Sequence, residues 1–323
     1  VGKIQGKDLM KAIVLHDSGG TENLVLEEAP VPLITNEEVL IEVKSAGINP
    51  IDVKTRSGKG LYGMLKDETP LILGWDISGI VTETGKNVTT FKKGDEVFGM
   101  VNFPGHGKAY AEYVAAPAAH LALKPLAISY NEAAAASLAA LTAWQALKAH
   151  ANIQKGQKVL IHAAAGGVGH YAVQIAKHYG AYTIGTASAV NRNFVLSLGA
   201  DEFIDYKAAP LEEQVSDIDF VLDTIGGDSI DHSLKVMKKA ATIVSIPSGL
   251  NEAVTDKAGA KGMNGYTFKV KSNGNDMKEI ANLLEKAIVK SHVSRAFSFV
   301  DMAKAHKQIE TGRTRGKVVV VWQ

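Results

Sequence analysis

Two textures of apolar and polar positions divide the chain. From Met10 to about Lys124, short apolar runs are separated by Gly, Pro and Asn, as at 39–43, 77–82, 95–100 and 110–115. Runs of that length and spacing predict strands of a compact antiparallel barrel or sandwich, with little helical periodicity between them. From about Asn131 to Ser291 the pattern changes. Strand-like runs at 158–162, 182–186, 220–223 and 242–246 alternate with helical periodicity at 169–179, 191–198 and 229–238. That alternation predicts parallel strands with helical crossovers, a doubly wound sheet. A helix is expected at 276–290, followed by a strand at 297–300, a short helix at 302–310 and a strand at 317–322 that rejoins the first domain. The fold class expected is therefore α/β with a separate β-rich domain.

Composition narrows the possible partners. The 35 basic and 34 acidic residues leave a formal net charge of +1, so nothing electrostatic points to nucleic acid or to an anionic membrane. The longest apolar run, 133–147, is alanine-rich and interrupted by Ser137, Thr142 and Gln145, which predicts a buried helix and no membrane span. Cysteine is absent, which removes thiolate zinc sites, thiol nucleophiles and iron–sulfur ligation. The ten histidines are dispersed without helical ligand spacing, so no metal is expected. A chain without disulfides is expected to be cytoplasmic. Residues 1–9 are expected to be a tag remnant or short extension, since a clean strand pattern opens only at Met10.

The segment most specific to a function is Val159-Leu160-Ile161-His162-Ala163-Ala164-Ala165-Gly166-Gly167-Val168-Gly169. An apolar strand enters a turn of small residues and a helix follows at once. A dinucleotide site needs this arrangement so that backbone amides at Ala165, Gly166, Gly167, Val168 and Gly169 can approach a pyrophosphate at the helix N-terminus. Ala164 stands at the first glycine position of the usual fingerprint, and a strand–helix corner without ligand is the alternative. An NAD site usually carries a carboxylate about 20 residues on, at the end of the second strand. Here Gly185-Thr186-Ala187-Ser188-Ala189-Val190-Asn191-Arg192 has none. Ser188 can donate to a 2′-phosphate and Arg192 can pair with it, which points to NADPH; a solvated Arg192 is the other reading.

Further motifs extend over nearly the whole chain from Met10. They are Ala46-Gly47-Ile48-Asn49-Pro50-Ile51-Asp52, Leu73-Gly74-Trp75-Asp76-Ile77-Ser78-Gly79, Lys93-Gly94-Asp95-Glu96-Val97-Phe98-Gly99, Leu222-Asp223-Thr224-Ile225-Gly226-Gly227 and Arg315-Gly316-Lys317-Val318-Val319. In that order they resemble the medium-chain dehydrogenase/reductase superfamily, and within it the zinc-independent quinone oxidoreductases and enone reductases. The resemblance implies a GroES-like barrel and a Rossmann domain with the active site in the cleft between. The domains expected are 10–130 (GroES-like, catalytic), 131–291 (Rossmann, NADPH-binding) and 292–323 (return to the catalytic domain). Asn49 and Trp75 stand where zinc relatives have a Cys and a His ligand.

The activity implied is metal-free transfer of hydride from NADPH to quinones or conjugated carbonyl compounds. Two alternatives stand beside it: an alkenal or enone double-bond reductase without quinone activity, and an NADPH-binding structural or regulatory protein with little turnover. The catalytic pocket is expected to be lined by the loops around Asn49, Lys54 and Tyr62, with 103–106 as rim, and the resemblance carries Asn49 over as a contact of the substrate or of the nicotinamide ribose. Lys54 is read either as an oxyanion donor or as a solvent-facing lysine; Lys at this position is the pattern of several plant enone reductases. Thr142, Ser245, Pro247 and Lys317 are carried over as cofactor contacts. A homodimer is expected, with 265–270 as the candidate edge.

Overall fold

The computed structural model describes residues 8–322. Residues 1–7 of the expected extension lie outside that part, and Leu9 already belongs to strand Leu9–Leu15. The chain divides into two units. One comprises residues up to Leu138 together with Lys271–Glu285 and Val293 onward; the other comprises Ala139–Val270 and Lys286–His292.

The second unit is built on six parallel strands. In spatial order they are Glu202–Asp205, Tyr182–Ala187, Lys158–Ile161, Ile218–Asp223, Met237–Ser245 and Asn264–Thr267. Counted along the chain this is the order 3-2-1-4-5-6 of a Rossmann sheet. Such a sheet is covered on both faces, so its strands read as nearly continuous apolar runs. Val159, Leu160, Ile161, Ile184, Val221, Leu222, Ile243 and Val244 are all buried accordingly. Two edge strands, Glu202–Asp205 and Asn264–Thr267, are four residues each, too short for their periodicity to stand out in the sequence. The strand expected at 242–246 begins earlier, at Met237, directly after helix Asp228–Val236.

The first unit carries a seven-stranded sheet and a two-stranded ribbon. The ribbon pairs Leu9–Leu15 with Leu24–Pro30. The sheet is organised by the long strand Glu38–Ile48. Its first half pairs with Tyr113–Pro117, its last four residues pair with Lys317–Val321, and Asp76–Thr84 runs along its other edge. Glu96–Met100 and Leu121–Leu123 continue beyond Asp76–Thr84. The C-terminal segment expected as strand, helix and strand is Val293–Ser298, helix Met302–Glu310 and Lys317–Val321, the two strands pairing in parallel. Two short helices, Pro50–Arg56 and Tyr62–Leu65, interrupt the β-rich texture. The first follows from Pro50 at the first helical position, where its missing N–H is no loss.

The alanine-rich run forms helix Tyr130–Trp144, which continues as a π-helical turn at Gln145–His150. It is apolar on nearly every side and buried, as its composition requires. The helix expected at 276–290 is Gly274–Glu285 and falls in the first unit, while residues 286–292 fall in the second. No helix among the described residues is long and apolar enough to cross a membrane.

Candidate functional site

In the second unit, strand order reverses between Lys158–Ile161 and Ile218–Asp223, and ligands of open α/β sheets bind outside the carboxyl ends of strands at such a point. The turn leaving Lys158–Ile161 enters helix Gly167–His178. Gly166 caps that helix without a side-chain hydrogen bond, so helix geometry leaves the first-turn N–H groups to seek an acceptor elsewhere. Gly169 is the tightest position. A Cβ there would lie 2.1 Å from the Ala163 carbonyl oxygen, and Ala163 itself takes a left-handed φ of 49°. Strain of this sort in a non-glycine residue belongs with functional turns. Ala165 and Gly169 are buried, while Gly166, Gly167 and Val168 are half-buried. Small side chains and helix amides at half-buried positions together fit a diphosphate.

Two histidines brace the turn from within the same unit. Ser233 donates to the Ser229 carbonyl at 2.7 Å, so its oxygen accepts from His162 Nε2 at 2.8 Å. His162 Nδ1 then accepts from Thr186 Oγ1 at 3.1 Å. Burial pushes the imidazole pKa down to about 4, with Asp223 opposing, so the ring is neutral near pH 7. His170 Nδ1 donates to the carbonyls of Gly166 and Gly167, and its Nε2 accepts from the His292 amide at 3.2 Å.

At the end of the second strand, Ser188 is half-buried and its hydroxyl accepts from Asn191 Nδ2 at 3.2 Å. Arg192 is exposed, with its guanidinium 5.6 Å from the centre of the Phe203 ring. No Asp or Glu stands between 185 and 192, which fits a phosphate better than a bare ribose hydroxyl there. Across the switch point, Asp223 accepts from the amides of Ile225 and Gly226 and from the hydroxyls of Ser229 and Ser245. The Ser245 carbonyl accepts from Asn251 Nδ2 at 2.7 Å. Ser245 is therefore buried and engaged, and the half-buried Ile246 and Pro247 follow it. Thr142 is buried on the alanine-rich helix.

The first unit gathers charge in its interior. Register explains how: Val318 pairs with Ile48 and Asp76 with Gly47, so Asp76 and Lys317 converge from two strands on Asn49, which follows the third and caps helix Pro50–Arg56. Gly47 permits it, since a Cβ there would meet Asp76 Oδ2 at 2.8 Å and the Ala134 carbonyl at 2.9 Å. Asn49 Nδ2 donates to Asp76 Oδ2 at 2.8 Å, and Leu138 N–H donates to Asp76 Oδ1 at 2.9 Å. Lys317 Nζ donates to the Ile48 carbonyl at 2.8 Å and to Asn49 Oδ1. Burial pushes the Asp76 carboxyl up to about 6, against the pull of Lys317, Asn49 and the Leu138 amide. Burial likewise lowers the Lys317 pKa, with Asp76 and Asp52 opposing.

A second layer runs outward from Asn49. Its backbone N–H donates to Asp52 Oδ2 at 3.0 Å, and the Tyr110 hydroxyl donates to the same oxygen at 2.8 Å. Arg56 can only donate, so His306 Nδ1 accepts from it at 3.3 Å and Nε2 faces the Tyr110 oxygen at 3.0 Å. Arg56 also pairs with Glu310. Asp52 Oδ1 is buried without a partner, and burial pushes its carboxyl up to about 7. Lys54 lies half-buried in the last turn of helix Pro50–Arg56, and Tyr62, also half-buried, opens the next helix. The loop between them folds back, with Leu61 N–H donating to Thr55 Oγ1 at 3.3 Å. Asn49, Lys54 and Tyr62 thus share one helix–loop–helix corner, with Asn49 turned into the charged interior. Around 103–106, Trp75 is fully buried, donates to the Gly105 carbonyl at 2.7 Å and packs edge-on against Phe103.

The resemblance pointed to Asn49 and Lys317 separately, and nothing in the sequence joined them to each other or to Asp76. Asp52 carried a signal, as the carboxylate three residues past a helix cap. Tyr110, Arg56 and His306 carried none, because 196 residues separate Tyr110 from His306. The donor set does not suit zinc: the chain has no cysteine, and the Lys317 ammonium sits on Asn49 where a cation would be repelled. Among the described residues no three His, Cys, Asp or Glu side chains come together to hold a metal ion.

Two family models match: alcohol dehydrogenase GroES-like domain over residues 35–126 and zinc-binding dehydrogenase over residues 198–320. The NADPH-dependent alkenal/one oxidoreductase of Arabidopsis thaliana is 37% identical over 96% of this chain and 79% of its own length. The 2-methylene-furan-3-one reductase of Solanum lycopersicum is 36% identical with the same coverage. The solved quinone oxidoreductase of Coxiella burnetii superposes with a TM-score of 0.93 at 36% identity, over 98% of this chain and all of that one. Likeness at that level, running through both units, means that the chain belongs to the medium-chain dehydrogenase/reductase superfamily, in its zinc-independent quinone and enone reductase group.

Proposed function

We propose that the chain is an NADPH-dependent reductase of quinones and conjugated enones. The glycine turn at the reversal point of the 3-2-1-4-5-6 sheet carries this reading, joined to a second-strand end that offers Ser188 and Arg192 where a carboxylate would serve NAD. The names of the relatives, an alkenal/one oxidoreductase that uses NADPH and a quinone oxidoreductase, support the same chemistry.

Amides of Ala165, Gly166, Gly167, Val168 and Gly169 hold the pyrophosphate, and Ser188 and Arg192 hold the 2′-phosphate. Thr142, Ser245 and Pro247 are assigned to the nicotinamide end, while Lys317, carried over with them, is assigned instead to Asn49, whose Oδ1 accepts a hydrogen bond from it. When bound, the dinucleotide supplies a hydride. Hydride addition to an enone β-carbon leaves an enolate, which takes a proton from water at its α-carbon to give the saturated carbonyl compound; addition to a quinone leaves a hydroquinone anion, which takes its proton on oxygen. Conjugation spreads the negative charge, so donors at the acceptor oxygen replace a Lewis acid. Asn49 is the donor assigned here, and Lys54 and Tyr62 line the acceptor pocket. Lys54 adds a cation beside the developing charge. The finer assignments are a homodimer paired through the edge strand Asn264–Thr267 and a cytoplasmic location.

Steady-state assays with 1,4-benzoquinone and with an alkenal, each with NADPH and NADH, test this. Oxidation of NADPH by either acceptor is the expected result. Turnover of the alkenal alone restricts the enzyme to double-bond reduction, and nucleotide binding without reduction of any acceptor overturns the assignment.

A further inference from the structure

Asn49 presents an amide between two opposite charges. Asp76, fully buried, takes one Nδ2 proton at 2.8 Å, and Lys317, 3% exposed, donates to Oδ1. Asn49 is itself 1% exposed, so water does not dilute either contact. A primary amide has two N–H donors and one carbonyl oxygen. Turned end for end, it would place its oxygen against a carboxylate and its NH2 against an ammonium, each an encounter of like polarity. Both charged partners are fixed in turn. The Leu138 amide holds the other oxygen of Asp76, and the Ile48 carbonyl holds Lys317. The backbone of Asn49 is pinned separately through Asp52, which Tyr110 holds. Strands Asp76–Thr84 and Lys317–Val321, in register with Glu38–Ile48, deliver Asp76 and Lys317 to the end of that strand, where Asn49 caps the next helix.

We propose that Asp76 and Lys317 are positioning residues that clamp the Asn49 side chain in a single orientation, leaving its second Nδ2–H as the donor offered to the substrate carbonyl oxygen. The proposal rests on the reading of Asn49 as the acceptor-side donor. Lys317 then acts through Asn49 and not through the dinucleotide. The ammonium on the amide oxygen withdraws electron density and makes the remaining N–H a stronger donor as charge develops on the substrate.

Nuclear magnetic resonance of the full-length, cofactor-free protein reads the clamp directly. The Asn49 side-chain amide signals are assigned by their loss in Asn49→Ala. Two sharp, well-separated Nδ2 proton resonances are expected in the parent chain and in Lys317→Arg. In Asp76→Asn and Lys317→Met they should broaden or approach each other as the amide reorients. If loss of one charge prevents folding, the double variant Asp76→Asn/Lys317→Met removes both and is read in the same way.

Kinetics supply the second readout. With NADPH and an alkenal, Lys317→Met should lower kcat by about tenfold to a hundredfold while the NADPH dissociation constant stays within about twofold. Lys317→Arg should recover most of kcat. In an Asn49→Ala background the Lys317→Met change should cost less than about twofold more. Unchanged amide resonances in the variants, a kcat loss matched by weaker NADPH binding, or losses that multiply in the double variant would each overturn the clamp. Inactivity of the parent toward every acceptor would overturn the functional reading instead, while the amide signals would still decide whether the clamp exists.

Discussion

The two units solve the problem of buried polarity in opposite ways. Around the glycine turn, the second unit uses backbone amides, small side chains and a neutral imidazole, all within the β–α unit or one strand away. Around Asn49, the first unit buries Asp52, Asp76, Arg56 and Lys317, drawn from segments up to 269 residues apart. A site meant to receive an anion takes up its own buried carboxylate, Asp223, with local amides and hydroxyls, and relies on backbone donors for the ligand. A site meant to fix one amide surrounds it with charges that satisfy each other. Backbone geometry governs the first, and complementary partners govern the second.

The sharpest way to break the first region is at Gly169. Gly169→Val drives a side chain into the Ala163 carbonyl, so the turn must open. NADPH binding measured by calorimetry should weaken by more than about a thousandfold, ~4 kcal/mol. The first unit should keep its own spectroscopic signals.

Next in size is the pH response of His162. Its folded pKa, about 4, lies below the ordinary 6.5, so the unfolded chain binds the proton first. The stability this contributes is present above pH 6.5 and is lost as pH falls toward 4. Urea unfolding at pH 7.5 and 4.5 should show the parent losing about 2 kcal/mol more than His162→Asn over that interval. An equal loss in both would mean that the imidazole charges without penalty.

Tyr110→Phe sharpens the other side of the comparison. It deprives Asp52 of a donor and leaves His306 Nε2 facing a ring. Stability should fall by about 1–2 kcal/mol with no change in NADPH affinity, because the lost bonds lie wholly within the first unit. Arg192→Ala, at the exposed end of the nucleotide region, should have the smallest effect. NADPH binding should weaken by about tenfold, ~1.4 kcal/mol, and NADH binding should not change. Equal weakening for both nucleotides would remove Arg192 from the 2′-phosphate.

What the sequence determined by itself is local. The run into Gly166–Gly169 announces a strand, a tight turn and a helix because three neighbouring elements and their glycines lie within one short stretch. The missing carboxylate at 185–192 is equally legible. The β-rich texture of the first half and the parallel alternation of the second half fix the fold class, since periodicity of burial is a property of each element alone. The four-residue strands Glu202–Asp205 and Asn264–Thr267 escape it for the same reason: too few positions exist to show a period.

Only the tertiary structure decided what surrounds Asn49. Sequence placed Asn49 and Lys317 in the site by resemblance, but nothing in either neighbourhood reveals that one donates to the other. That contact depends on strand Lys317–Val321 pairing with Ser45–Ile48 in one register, and a slip of one residue would send Lys317 to the opposite face. Register is set by the whole sheet and its packing, so buried pairs that span the chain exist only once it has formed.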